Sequence, residues 1–294
     1  MRFPGFYGNH ALRNRLSGTL SGGGLSHFYI LSGPAGSGKK TLGKILAAAY
    51  QCTGTGDKPC GECPHCKKIF GGGHPDVITV DSDKATIPVK LIRDYLQPDV
   101  YIRPNEGKRK VYLIPRAQAM LDPAQNALLK LLEEPPSYCA FILMTDNPEK
   151  ILTTIRSRAV ELSLFPLSDL DLKNALLQLR PQADSQVLAS AAERSGGYLG
   201  AALELMEQNT SPVREPLRKF LKAYVTGNEP NILVALAPLE KLSRQEQMEL
   251  FTQLHLIFTR ALSHQAGAGS LFSKEAEYLS AKCTPSSFIP VWTP

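Results

Sequence analysis

The chain has 294 residues, 43% of them hydrophobic, with 33 Lys and Arg against 27 Asp and Glu for a formal net charge of +6. That length holds two or three domains with real cores, and no apolar run approaches the ~20 residues of a membrane span. The amino end, Met1-Arg2-Phe3-Pro4-Gly5, lacks a secretory apolar segment, so the chain reads as cytoplasmic. The charge is weak for this size and permits contact with nucleic acid without requiring it.

A helix is predicted near 8–20, then a short apolar and aromatic strand, His27-Phe28-Tyr29-Ile30-Leu31, of the buried parallel kind. Gly33-Pro34-Ala35-Gly36-Ser37-Gly38-Lys39-Lys40-Thr41 follows, and a Leu- and Ala-rich helix is predicted over 41–51. Strand, glycine loop and helix start together make an anion site. The glycines turn backbone N–H groups inward, the helix dipole favours negative charge, and Lys39 reaches the outer phosphates. Gly33, Gly36, Gly38, Lys39, Lys40 and Thr41 are therefore candidate phosphate-binding residues. The motif is degenerate at its end: Lys40 stands where the Mg²⁺-binding hydroxyl belongs, and Thr41 comes one residue late. On a helix the next residue is rotated by about 100°, so Thr41 is expected to point away from a metal.

Four of the six cysteines lie close behind: Cys52, Cys60, Cys63 and Cys66. Four thiolates can surround Zn²⁺ tetrahedrally and close its shell, the mark of a structural site. A redox pair needs two cysteines, and a disulfide-bonded secreted domain needs an export signal. His65 and His74 are spare ligands that read as surface residues. Cys139 and Cys283 are isolated and read as buried packing residues.

Strands are predicted near 76–80, 110–114, 140–144 and 158–163, and helices near 88–97, 123–133 and 148–156. This alternation predicts a parallel sheet covered on both faces. Lys108-Arg109-Lys110 reads as a solvated strand entrance. An ATPase would end the 110–114 strand with an acidic pair to hold Mg²⁺ and polarise water; here Pro115-Arg116 follows. The next carboxylate, Asp122, reads as a helix N-cap, with Pro123 at the first helical position and Gln125 closing a capping box. Beyond Phe165-Pro166-Leu167 the strand signals stop. Residues 168–207 read as short helices, and from about 212 the pattern is helical, with a stripe at Met248, Phe251, Leu254, Phe258 and Leu262. Core packing and a partner interface would use that stripe equally. The tail from Pro285 is proline-rich.

These residues carry a resemblance. The chain is similar to the AAA+ subunits of the bacterial DNA polymerase III clamp loader, and most like the delta-prime branch, which is related to gamma and tau. The likeness rests on Leu25 to Tyr29 before Gly33-Pro34-Ala35-Gly36, the four-cysteine insertion and His74-Pro75-Asp76. It continues in Asn126-Ala127-Leu128-Leu129-Lys130-Leu131-Leu132-Glu133-Glu134-Pro135-Pro136, Ile155-Arg156-Ser157-Arg158 and Phe165-Pro166-Leu167. It implies an α/β P-loop AAA+ domain with a zinc module (1–166), a helical lid (167–208) and an all-helical collar used in oligomerisation (209–294).

In function the resemblance implies a stator of the DNA polymerase III holoenzyme, without intrinsic ATPase, that helps load the sliding clamp on primed DNA. Implied partners are the gamma/tau motor subunits, the delta subunit, the clamp and, through the assembly, DNA. Arg158 is implied as an arginine finger acting on a neighbour's ATP. The arginine expected as a nucleotide sensor falls at Gly200, and Ala159 stands where relatives commonly carry Cys. ATP or ADP binding is expected to be weak or absent. Two alternatives stand beside this reading: an active gamma/tau-type ATPase using Thr41, and a zinc-dependent nucleic-acid-binding protein acting alone.

Overall fold

The computed structural model of the chain describes residues 1–226 except 23 and 211–213, and beyond them 234, 243, 244, 246–248, 250, 251, 254, 257 and 258. Cys283, Leu262 and the proline-rich tail lie outside the described residues. Two compact units are present, Met1–Leu203 and Glu204–Pro294.

The first unit opens with α1 (His10–Gly22), β1 (Phe28–Ser32) and α2 (Lys39–Gln51). The cysteine segment carries α3 (Pro64–Phe70), then come β2 (Val77–Thr79), a π-helical turn (Leu91–Leu96) and α4 (Gln97–Val100). Next are β3 (Lys110–Ile114), α5 (Asp122–Glu133), β4 (Cys139–Thr145), α6 (Thr153–Arg156) and β5 (Val160–Ser163). The helices α7 (Asp169–Leu179) and α8 (Ser185–Arg194) follow, α9 (Leu199–Thr210) begins in the first unit and ends in the second, and α10 (Arg214–Thr226) lies in the second unit.

The five strands form one parallel sheet in the order β2-β3-β4-β1-β5. β1, β3 and β4 are buried along their whole length, because both faces of a parallel sheet are covered and side chains alternate between them. One face collects Phe28, Ile30, Tyr112, Ile114, Phe141 and Leu143 against Leu128 and Leu131 of α5. The other collects Tyr29, Leu31, Val111, Leu113, Ile142 and Met144 against Leu42, Ile45 and Leu46 of α2. That second core also contains Cys52, Cys66 and Ile69, so the cysteine segment is seated on the sheet domain.

Several local expectations are corrected. Asp122 is no cap: Leu121 holds the N-cap position without a side-chain bond, and Asp122 is already helical. Gln125 leaves the capping box because it is buried and bound elsewhere. Its Nε2 donates to Met120 O and Lys150 O, and its Oε1 accepts from Leu152 N–H at 2.8 Å. Pro98, in the first turn of α4, has no N–H to return to the preceding turn. The preceding turn widens, and Gln97 N–H reaches back to Ile92 O. Lys110 is no solvated entrance; it is 3% exposed and pairs with Asp99 at 2.9 Å. Cys139 is buried as expected.

In the second unit Leu217 and Leu221 of α10 are buried, and Tyr224 meets Phe258 edge-on at 5.6 Å. Within the apolar stripe region Leu250 and Ile257 are buried, while Met248 and Phe251 are 63% and 64% exposed. Among the described residues no helix is long and apolar enough to cross a membrane.

Candidate functional site

β1 lies between β4 and β5, where the strand order reverses, and its carboxyl end opens into the glycine loop. Crevices at such points are where α/β sheets bind ligands. Gly36 and Gly38 adopt φ of +76° and +96°, the left-handed region that glycine enters without strain. Gly38 is the N-cap of α2 and brings no side-chain cap, so the first N–H groups of α2 have no acceptor within the helix. Lys40 and Thr41 sit in this first turn, Lys40 exposed and Thr41 half-buried.

Lys39 turns back on its own loop. Its Nζ donates to Gly33 O at 2.6 Å and Pro34 O at 2.8 Å, and pairs with Asp146 Oδ1 at 2.6 Å. Asp146 follows β4 directly, and the parallel register of β1 with β4 carries it to the loop. Gln118 steadies it: Nε2 donates to Asp146 Oδ2 at 3.4 Å, and Oε1 accepts from Asp146 N–H at 3.3 Å. The Ser37 hydroxyl is buried in the loop with no hydrogen-bond partner. Sequence reasoning missed Asp146. The only local signal was its place after an apolar strand, and the contact appears once the strand order is known.

The start of α9 closes over the loop. Gly200 N–H donates to Gly36 O at 2.9 Å. A Cβ on Gly200 would lie 2.7 Å from Gly36 Cα. No side chain fits there, so the sensor arginine is excluded by space as well as by sequence.

At the end of β3, Pro115-Arg116 stands where an acidic pair would. Arg116 takes a left-handed φ of +53°. Its guanidinium pairs with Asp81 Oδ1 at 2.5 Å and also donates to Ser82 O and Lys84 O. The side chain pins the loop after β2 and brings no carboxylate to the phosphate loop.

Arg156 and Arg158 differ in their partners. Arg156 is held by Glu161 at 3.0 Å and Glu149 at 3.2 Å. Arg158, just past α6, is 40% exposed. It donates to Thr154 O at 2.7 Å and pairs with Glu133 Oε1, at the end of α5, at 2.9 Å. Ala159 packs against the core.

The cysteines converge. The Sγ atoms of Cys52, Cys60, Cys63 and Cys66 lie within 4.8 Å of one another, and Cys60 to Cys66 is 4.0 Å. Tetrahedral Zn–S bonds of about 2.3 Å would place sulfurs about 3.8 Å apart, so the cluster fits zinc. Backbone N–H groups already face the sulfurs, from Cys60 to Cys52 Sγ and from Cys63 to Cys60 Sγ, both at 3.3 Å. Cys63 caps α3 by accepting from Cys66 N–H. Burial works against ionising Cys63, but hydrogen bonds from Cys66 and Thr53 win and lower its thiol to about 5; burial pushes the Cys66 thiol up to about 12. A Cβ on Gly54 would meet Cys60 Sγ at 2.8 Å, so only glycine allows the chain to pass there.

The histidines correct the surface expectation in part. His74 is buried, and its Nε2 lies 2.9 Å from His65 Nδ1. Together with Glu106 they form a second close group. His74 Nδ1 accepts from Asp76 N–H at 3.1 Å, which leaves the proton on Nε2 in the neutral ring. That nitrogen then donates to His65 Nδ1 and has no lone pair for a metal. Asp76 is wholly buried and accepts from the N–H groups of Asn105, Glu106 and Gly107 at 2.6 to 3.0 Å.

A family model described as DNA polymerase III, delta subunit, matches residues 8–168, more than half of the chain. The tau subunit of Escherichia coli is 37% identical over 218 residues, covering 70% of this chain and 32% of that protein. The delta' subunit of Yersinia pestis is 31% identical over 262 residues, covering 87% of this chain and 75% of that protein. The chain spans between 30% and 57% of the length of three gamma and tau relatives. Among solved structures, a gamma subunit-related protein of Thermotoga maritima matches with a TM-score of 0.51 at 18% identity, covering 92% of this chain and 89% of that one; that likeness bears on the fold alone. With the five-stranded parallel sheet, the glycine loop at its reversal point and these matches together, the chain belongs to the DNA polymerase III delta subunit family.

Proposed function

We propose that the chain is a delta-prime-like stator of the DNA polymerase III clamp loader. It takes part in placing the sliding clamp on primed DNA and splits no ATP itself. The observation that carries this reading is Arg116. The end of β3 offers a guanidinium paired to Asp81 where Mg²⁺-dependent hydrolysis needs a carboxylate. Lys40 at the hydroxyl position and Gly200 at the sensor position point the same way.

Arg158 is the residue given a role in trans. It is exposed and reaches solvent from the end of α6. A guanidinium placed against a neighbouring motor subunit's ATP would stabilise charge on the transferring phosphoryl group. Zinc at Cys52, Cys60, Cys63 and Cys66 fixes the segment after α2. Residues 167–208 act as a lid, and 209–294 as a collar; the exposed Met248 and Phe251 suit packing against partner helices. Gamma/tau and delta subunits are the assigned neighbours, and DNA is met through the assembly.

The test is reconstitution with candidate gamma/tau and delta partners, followed by ATP turnover. Arg158→Ala should lower turnover at the one adjoining site, by on the order of 10³-fold if the finger acts as in comparable systems, with assembly intact. Unchanged turnover would remove the role in trans. A second reading, an active ATPase of gamma/tau type, is favoured by the tau match at 37% identity. Steady turnover by the isolated chain, abolished by Lys39→Ala, would establish it in place of the stator.

A further inference from the structure

The glycine loop has the parts of a phosphate site, and its strongest donor is turned away from any ligand. An ammonium has three protons. Lys39 Nζ meets three oxygens within 2.8 Å, those of Gly33, Pro34 and Asp146. Two are backbone carbonyls, which repel an anion as much as they attract the lysine. The third is a carboxylate that neutralises the lysine and would also stand beside any incoming phosphate, where like charges oppose each other.

Asp146 is held for this position from both ends. Gln118 bonds its carboxylate and its backbone N–H. Gln118 sits two residues beyond Arg116, in the short 3₁₀ turn Ala117–Ala119. The segment that replaces the acidic pair of β3 therefore also steadies a different carboxylate, at the end of β4, against the loop's lysine.

The rest of the loop keeps the character of an anion cradle. The start of α2 presents N–H groups without intrahelical acceptors. The Ser37 hydroxyl is buried to 5% exposure and has no hydrogen-bond partner, which is costly for a buried polar group unless a ligand supplies one.

We infer that Asp146, steadied by Gln118, is the residue that sets the ligand specificity of the loop: it holds Lys39 in an internal ion pair and so keeps a nucleoside triphosphate out of a cradle that can otherwise receive one. This deepens the stator reading, since it rests on the same loop as a degenerate phosphate site. It adds that one carboxylate, and not loss of the cradle, sets the weak affinity.

The test uses the isolated full-length chain and a fluorescent ATP analogue, titrated with and without Mg²⁺, with binding as the readout. The wild-type chain should bind weakly or not at all. Asp146→Asn, which keeps the side-chain shape and removes the charge, should bind at least about tenfold more tightly, as freeing a partly buried lysine would give. Adding Lys39→Ala to that variant should abolish the gain. Circular dichroism and melting temperature report whether Asp146→Asn is folded. Gln118→Ala, which loosens Asp146 without changing charge, should give a smaller gain in the same direction and serves as the second variant. Wild-type binding at micromolar concentrations would overturn the inference. So would Asp146→Asn binding no better than wild type, or a gain that survives Lys39→Ala. None of these outcomes measures turnover by the isolated chain or by the assembly, so the stator reading stands or falls separately.

Discussion

The glycine loop and the cysteine segment are joined by α2, and they treat their donors in opposite ways. In the loop, Lys39 faces inward to Gly33, Pro34 and Asp146, so a nearly complete motif is closed on itself. In the cysteine segment four sulfurs from separate turns face one point, with backbone N–H groups supporting them. A motif fixes residue types and spacing. Whether its donors reach outward depends on what the rest of the fold places opposite them. Opposite the loop stands a carboxylate just past β4; opposite each cysteine stand the other three sulfurs.

The comparison predicts that the cysteine segment carries stability and the loop carries little. Its strongest test is Cys66→Ser, or prolonged chelation of the wild-type chain. Cys66 is both a candidate ligand and part of the core beside Ile69. Losing a structural metal there should cost about 3 kcal/mol or more and lower the melting temperature by roughly 10 °C. Metal analysis should find about one zinc per chain in the wild type. A melting temperature indifferent to chelation would show that the cysteine segment holds no stabilising metal.

An intermediate effect is expected at Asp76, which packs next to His74 behind the segment. Asp76→Ala leaves three backbone N–H groups without their acceptor and should cost about 2 kcal/mol, read by chemical denaturation. The sign of its pH dependence follows from its environment. Burial would raise the Asp76 pKa, but the N–H groups of Asn105, Glu106 and Gly107 outweigh burial and lower it. A carboxyl whose folded pKa is depressed stabilises the fold above its unfolded pKa of about 3.9. The contribution is lost as pH falls through the lower folded value. The difference between wild type and Asp76→Asn should therefore be constant near neutrality and shrink below about pH 4. A difference that grows on acidification would contradict this account.

The smallest effect is expected in the loop. Lys39→Ala removes a pair whose aspartate is 48% exposed, and solvent screening limits such pairs to about 1 kcal/mol. The melting temperature should move by only a few degrees. A loss matching that of Cys66→Ser would erase the contrast.

The sheet was legible in the sequence because its strands are short apolar runs bounded by loop residues. Phe28 to Leu31, Lys110 to Ile114 and Ala140 to Met144 each pack on two faces, and that environment leaves a plain compositional trace. The cysteines were legible because four identical ligands at close spacing have few other uses. Asp146 was not, since its partner lies more than a hundred residues earlier and is reached only through the β1–β4 pairing. The cap assigned to Asp122 failed for a related reason. A local rule expected Gln125 to serve the start of its own helix, and the tertiary structure gave it Lys150 and Leu152 instead. His74 looked like a surface ligand because nothing in its neighbours reveals that Asp76 and His65 enclose it. In the carboxyl-terminal third, Met248 and Phe251 are exposed where the spacing alone allowed core packing equally well.

The two side-chain ties of α5 have a mechanical consequence. Gln125 couples the first turn of this helix to the turn that begins α6, and Glu133 grips Arg158 at the helix end. Asn126, Lys130 and Glu133 all lie exposed along α5. Both the entry to α6 and the arginine just past its end are thus fixed by one helix, so the place from which Arg158 meets solvent is set by where α5 lies.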